Sequence, residues 1–135
     1  MGHDIRWDNE DRTVVLQAYT EGATKDDLYY LAQESARMLK SIDHTVHLII
    51  DERNIDLVLN SADMTYLEKL TPTNQGAVVM IVSPSKLMYK TVVQQLGKRL
   101  GPNAFALPFF AESVEQAWTF LQSAFEVRYT SEAET

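Results

Sequence analysis

Residues 46–52 read VHLIIDE and residues 77–83 read AVVMIVS, and these two nearly continuous apolar runs decide the fold class. Strands that are apolar on both sides are typical of a parallel sheet whose two faces are both covered. Between them, residues 61–70 (SADMTYLEKL) have the length and composition of a short helix. The stretch 46–83 therefore predicts a β–α–β unit with a right-handed crossover.

The flanking segments extend this unit in both directions. IRWD (5–8) and RTVVLQAYT (12–20) surround a polar turn and predict a hairpin. Thr24 is a predicted N-cap, followed by a helix to about Ser41. Downstream, the sequence predicts a third helix over 86–100, a strand over 104–110 that Pro108 places at a sheet edge, and a fourth helix from Ser113 to about Phe125.

The predicted order of elements is ββαβαβαβα. It indicates a single α/β domain over residues 1–128, with a mostly parallel five-stranded sheet, and a flexible acidic tail over 129–135. Ser61, Ser85 and Ser113 each precede a predicted helix, and serine is a preferred N-cap residue. We therefore expect each of these serines to cap its helix, with Gln116 completing a capping box at Ser113.

Composition excludes several classes of protein. The 135 residues are 45% hydrophobic, and no apolar run reaches the roughly 20 residues of a membrane span. The chain has no cysteine, which removes disulfides and thiolate chemistry and favours the cytoplasm. A net charge of −7 argues against nucleic acid as a partner. The three histidines follow no metal spacing, so we expect neither a metal nor a cofactor.

The order of a hairpin followed by repeated βα units resembles the SpoIIAA-like fold, which includes the STAS domains and the lipid-carrying CRAL-TRIO domains. The segments IRWDNEDRTVVLQAYTEGATKDDLYYLAQESARML (5–39) and VHLIIDER (46–53) are similar to small stand-alone bacterial STAS/SEC14-type proteins. STAS antagonists carry Asp-Ser-Ser-Gly at the start of the second helix, where a kinase phosphorylates the serine. Here the corresponding residues are LNSAD (59–63), so only Ser61 matches and the phosphoserine switch motif is not intact.

The predicted ligand or partner site lies at the carboxyl end of the strand over 46–52, where open α/β sheets place ligands. Asp51 and Glu52 are adjacent on that strand and so point to opposite faces, which favours a solvated strand end over an acid–base pair. The loop after them, IDLVLN (55–60), is unusually apolar and is interpreted as a lid over the core, a partner surface or the mouth of a pocket. The candidate residues are Asp51, Asn54, Leu57, Leu59, Asn60, Ser61 and Ser85.

The third predicted helix has two contrasting faces. Lys86, Lys90, Gln94 and Lys98 recur every four residues beside Arg99, and they form a candidate basic docking stripe or an ordinary solvated face. The opposite face is expected to pack inward and carries Met88, Val92, Val93, Leu96 and Leu100.

The sequence thus predicts a protein without enzymatic activity. The first hypothesis is a regulatory, protein-binding domain of STAS type that forms a homodimer through Leu57 or Leu59. The alternative, which the CRAL-TRIO resemblance implies, is a binding module for a lipid or small apolar ligand. A cavity beneath residues 55–59 would favour the second hypothesis.

Overall fold

The structure is a computed structural model, and it describes residues 2–55 and 58–129. The strands are β1 (His3–Trp7), β2 (Val14–Tyr19), β3 (Val46–Asp51), β4 (Gln75–Ile81) and β5 (Pro108–Ala111). The helices are α1 (Lys25–Lys40), α2 (Ser61–Leu70), α3 (Leu87–Leu100) and α4 (Val114–Ala124), and a 3-10 turn over Pro84–Lys86 precedes α3.

The five strands form one sheet in the order β1-β2-β3-β4-β5. β1 pairs antiparallel with β2, and every later pair is parallel. The predicted α/β class, the order of elements and the mostly parallel sheet are confirmed. β5 is an edge strand, as Pro108 predicted, because proline has no N–H for a ladder hydrogen bond.

The helices cover the two faces of the sheet unequally. Consecutive parallel strands joined by right-handed crossovers place α1, α2 and α3 on the same face. On the opposite face, Ala117 and Leu121 of α4 pack in one cluster with Ile49 and Val79. The sheet is therefore buried on both faces, which explains the continuous apolar runs of β3 and β4.

Two predicted boundaries are wrong. β5 begins at Pro108 instead of residue 104, because the chain turns after α3 and the N–H of Phe105 donates to the carbonyl of Gly101. The third helix was predicted to start at residue 86 with Ser85 as its cap. Ser85 instead lies inside the 3-10 turn, and no side chain caps α3.

The N-caps differ from the serine-based prediction at α2. Thr24 caps α1 as predicted. At α2 the cap is Asn60, whose side chain accepts from the N–H of Asp63, and Ser61 is the first helical residue. The serine prediction is wrong there because asparagine caps equally well and Asp63 completes the reciprocal capping box.

The carboxyl-terminal end of the domain packs beside the β1–β2 hairpin. Ser113 caps α4 by accepting from the N–H of Gln116, but the Gln116 side chain accepts from Glu112, so the predicted box is incomplete. Tyr129, which we predicted to begin the tail, donates a hydrogen bond to Asp8. Trp118 donates to the same carboxylate, so Tyr129 packs with the domain.

Candidate functional site

A cavity of about 120 Å³ lies between the sheet and the three helices α1, α2 and α3. Its floor is formed by neighbouring strands, where the register places Gln17 beside Ile50 and Ile50 beside Met80. Its roof comes from α1, α2 and α3, and Phe105 closes one side. Most of the wall is aliphatic or aromatic, as is typical of sites that bind small molecules.

Seven polar side chains line this otherwise apolar cavity, and three of them are already paired: Glu52 with Lys90, Thr71 with the carbonyl of Leu67, and Gln75 with the carbonyl of Ala104. The other four are Gln17, Tyr19, Ser35 and Gln94. Ser35 is only 5% exposed, and its hydroxyl has no hydrogen-bond partner among the described residues. The side chains of the other three are also buried and make no hydrogen bond within the described part of the chain. A buried hydroxyl without a partner costs about 1–3 kcal/mol, so the unpaired hydroxyl of Ser35 needs an explanation.

The hydroxyl of Tyr19 is a donor at every physiological pH. Burial raises its pKa well above the ordinary value, and the nearby carboxylates of Glu52 and Asp27 raise it further. The ring lies against both this cavity and a smaller adjoining one of about 50 Å³. Tyr19 therefore offers a neutral hydroxyl group to anything that occupies either space.

An ion pair lies beside the two cavities. The Nζ atom of Lys90 in α3 lies 2.7 Å from Oε1 of Glu52, which follows β3, and both side chains are largely buried. Ile55 and Leu59 line the smaller cavity next to this pair. Two described residues of the apolar loop after β3 thus line a cavity, and a cavity at this place is what the ligand-binding hypothesis predicted.

Helix α3 is rotated relative to its sequence prediction. Lys90 and Gln94 of the predicted basic stripe point inward, toward Glu52 and the cavity. Three of the five residues of the predicted apolar face are instead exposed: Met88 is 81% exposed, Val92 is 60% exposed, and Leu96 is also on the surface. Val93 and Leu100 are half-buried, and Val93 lines the smaller cavity. Lys98 and Arg99 remain exposed, while Lys86 donates to the carbonyl of Ile55, so the stripe is not one continuous surface feature.

The orientation of α3 has a local cause at Gly97. A Cβ atom on Gly97 would lie 2.7 Å from the Phe105 ring, so only glycine lets the helix approach that ring so closely. Gln94 and Gly97 are the buried residues of α3, and they lie one turn apart on its inner face. Close packing at Gly97 and the ion pair of Lys90 therefore hold the polar side of α3 against the domain.

The predicted site residues do not converge on one point. Asp51 accepts hydrogen bonds from the backbone and side chain of Arg53, its own neighbour in the loop. Burial acts to raise the pKa of Asp51, but the hydrogen bonds and charge of Arg53 outweigh it and lower the pKa. Asn54 is exposed in the same turn. This carboxylate is thus already paired and lies on the opposite side of the strand from Glu52.

The remaining candidates have separate surroundings. Leu59 lines both cavities, and Leu57 lies outside the described residues. Asn60 is the cap of α2, Ser61 is exposed at the start of α2, and Ser85 is exposed within the 3-10 turn. Among the predicted ligand-site residues that the structure describes, Leu59 is the one that lines the cavity.

Asp63 ties α2 to α1. Its buried carboxylate accepts from Lys25 Nζ at 2.5 Å, from the hydroxyl of Tyr29 and from the backbone N–H of Asn60. Burial acts to raise the pKa of Asp63, but these three donors outweigh it and the pKa is lowered. The carboxylate of Asp63 therefore has a structural role, because the protein itself supplies its hydrogen-bond donors and its counter-charge.

Sequence reasoning missed Gln17, Tyr19, Ser35, Glu52 and Gln94 as a group. For three of them the sequence contained a signal, which is a polar residue at a position where the pattern predicts an apolar one. Gln17 lies within the apolar run VVLQAY (14–19), Ser35 lies on the apolar face of α1, and Gln94 follows two valines in α3. A polar residue at a position that the pattern assigns to the core indicates either a hydrogen-bonded partner or a lined cavity. The elements that bring them together are far apart in the chain.

Within residues 2–55 and 58–129, no group of three acidic or histidine side chains is placed to hold a metal ion. Over the same described ranges, every helix is too short or too polar to span a bilayer. Comparison with protein families, with curated proteins and with solved structures finds no match to this chain.

Proposed function

We propose that this domain binds a small, mainly apolar molecule in the cavity beneath α1, α2 and α3, without catalysing a reaction. The observation that carries the proposal is the cavity of about 120 Å³ whose wall contains the buried, unpartnered hydroxyl of Ser35. Natural cores are packed to a density that leaves few voids larger than a water molecule. A cavity of this size is therefore unusual in a protein interior, and ligand binding would explain why it is present.

The chemistry of the wall supports binding over catalysis. Asp51 is held by Arg53, Glu52 by Lys90, and Asp63 by Lys25 and Tyr29. General acid–base catalysis needs a titratable group within reach of a substrate proton. The carboxylates near the cavity already form ion pairs. The unpaired groups in the cavity wall are amides and hydroxyls, which do not ionise at neutral pH.

The fold itself is consistent with this proposal. We propose that the domain is SpoIIAA-like, a proposal supported by the element order ββαβαβαβα and by the consecutive order of its five strands. Lipid-carrying CRAL-TRIO domains share that fold, although the analogy concerns the fold alone. The cavity is the observation that supports ligand binding over the STAS-type regulatory hypothesis.

A cavity-filling variant tests the proposed function. Ala32 lines the cavity, so Ala32→Leu should occupy part of the space, whereas Ala62→Leu adds the same atoms at an exposed position of α2. Toluene titrated into the wild-type protein should shift the NMR signals of Met80, and the shifts should disappear in Ala32→Leu and persist in Ala62→Leu. If neither toluene nor benzyl alcohol shifts any signal in the wild-type protein, ligand binding is refuted.

A second candidate function, protein interaction through a homodimer, is favoured by the exposed apolar face of α3. Met88, Val92 and Leu96 follow one another at four-residue spacing and so form a straight stripe. The stripe is symmetric about Val92, so an antiparallel pairing of two copies would place Met88 against Leu96 and keep the two Arg99 side chains at opposite ends. A second copy of the chain is therefore the occupant we propose for this face.

Matched glutamate variants test the dimer. Val92 is 60% exposed on α3 and Val58 is 61% exposed in the loop after β3. Sedimentation equilibrium should give a dimer for the wild-type protein and for Val58→Glu, and a monomer for Val92→Glu. A wild-type monomer at every concentration would refute dimerisation, and dissociation by Val58→Glu alone would place the interface at the loop that the sequence predicted.

A further inference from the structure

We infer that the cavity selects an uncharged molecule about the size of a single aromatic ring that carries one hydrogen-bonding group, such as a hydroxyl or a carboxamide. This inference rests on the proposed function of ligand binding and adds the chemical class of the ligand. It is carried by the size of the cavity, by the kind of polar atoms in its wall, and by the internal neutrality of the ion pair beside it.

The size of the ligand follows from the volume. An apolar cavity of about 150 Å³ accommodates benzene. At about 120 Å³, with a smaller space of about 50 Å³ adjoining it, this cavity is suited to one ring or a short branched chain. A diacyl lipid would have to leave most of its atoms outside this space, so the volume favours a small amphipathic compound.

The polar part of the ligand follows from the unpartnered side chains. Gln17 and Gln94 each offer an amide that both donates and accepts, and the hydroxyls of Ser35 and Tyr19 can do the same. The hydroxyl of Ser35 is buried without a partner, and the side chains of Gln17, Tyr19 and Gln94 make no hydrogen bond among the described residues, so a ligand hydroxyl or carboxamide would give these groups a partner. A pure hydrocarbon would leave them unpaired and displace the water that could otherwise reach them.

The charge of the ligand follows from Glu52 and Lys90. Their side chains are paired at 2.7 Å, so the pair presents no net charge to the cavity. A carboxylate or ammonium group inside the apolar wall would be buried without a counter-ion, and burial of an uncompensated charge is much more costly than burial of a hydrogen-bonded neutral group. The cavity should therefore exclude ions of either sign.

Four ring compounds of nearly equal size separate the components of this inference: toluene, benzyl alcohol, benzoate and benzylammonium. Each is titrated into the full chain at neutral pH, and binding is measured by NMR chemical-shift changes. We expect benzyl alcohol to bind about tenfold more tightly than toluene, as one added hydrogen bond allows. The two ions should bind at least tenfold more weakly than benzyl alcohol.

Two variants link the selectivity to the cavity wall. In Ser35→Ala, and independently in Gln94→Met, the affinity for benzyl alcohol should fall toward that of toluene, while toluene affinity changes less than twofold. If toluene equals benzyl alcohol, or if either ion binds most tightly, the ligand class is refuted and the proposed function stands. If none of the four compounds binds, the proposed function itself is refuted and this inference with it.

Discussion

The ammonium group of Lys90 lies 2.7 Å from the carboxylate of Glu52, and this pair ties the inner side of α3 to the end of β3. The contact explains why a helix whose apolar residues predicted the opposite orientation presents Met88 and Val92 to solvent. It also closes one side of the cavity region. The stability of the domain should therefore depend on a lysine that the sequence pattern assigned to a surface stripe.

Removal of the Lys90 charge should be costly. Lys90→Met leaves Glu52 largely buried without its cation, and we expect the free energy of unfolding to fall by about 2 kcal/mol. Lys98→Met removes the same group from an exposed position of the same helix and should change it by less than about 0.5 kcal/mol. Urea denaturation of the two variants measures the difference, and equal losses would contradict the role of the ion pair.

The cap of α2 can be tested at two adjacent exposed residues. Asn60→Ala removes the side chain that accepts from Asp63, and it should lower the free energy of unfolding by about 1 kcal/mol. Ser61→Ala removes a hydroxyl that caps nothing and should be nearly neutral. Ser61→Asp should preserve the fold, because a negative charge in the first turn of a helix is favourable. Thermal denaturation checks all three, and a larger loss in Ser61→Ala would contradict the assignment of Asn60.

His47 should make the domain less stable in mild acid. Burial lowers the pKa of His47 below its ordinary value of 6.5, and its Nδ1 accepts from the N–H of Ala77 at 2.9 Å. The unfolded chain therefore binds a proton at a higher pH than the folded protein does. Stability should be unaffected by His47 above about pH 7 and should decline as the pH falls through about 6.5 toward the lower folded pKa.

A variant isolates this contribution. In His47→Leu, the slope of unfolding free energy against pH between about pH 7 and pH 5 should be shallower than in the wild-type protein, when both are measured by urea denaturation. The side chain also contacts the Phe125 ring, at 4.6 Å between ring centres, so the variant is compared by slope and not by absolute stability. An unchanged slope would mean that His47 takes up its proton equally in both states.

Trp118 should be a major contributor to the cluster under α4. Its ring packs against that cluster and lies 5.3 Å from the ring of Tyr129, and its Nε1 donates to Asp8 at 2.8 Å. Trp118→Ala should cost about 3–5 kcal/mol, whereas Trp118→Phe keeps most of the packing and should cost about 1 kcal/mol for the lost hydrogen bond. Chemical denaturation measures both, and near-wild-type stability of the alanine variant would contradict a packing role.

The sequence by itself determined the sheet and the order of the elements. The runs over 46–52 and 77–83 are apolar on both sides, and a strand of that kind is stable only where both faces are covered. Thr24 and Ser113 mark helix starts because a capping hydroxyl satisfies backbone donors within a few residues. These interactions are local, or they depend only on burial, so the pattern of residues is sufficient to predict them.

Tertiary structure alone decided the orientation of α3 and the composition of the cavity. The approach of Gly97 to Phe105 and the pairing of Lys90 with Glu52 join elements that the hydrophobic pattern treats independently. Those contacts turn Val92 outward and Gln94 inward, against the period of apolar residues. Likewise, Gln17 and Ser35 share a cavity because β2 and α1 pack face to face, and side-chain contacts between distant segments follow from how the elements meet in space.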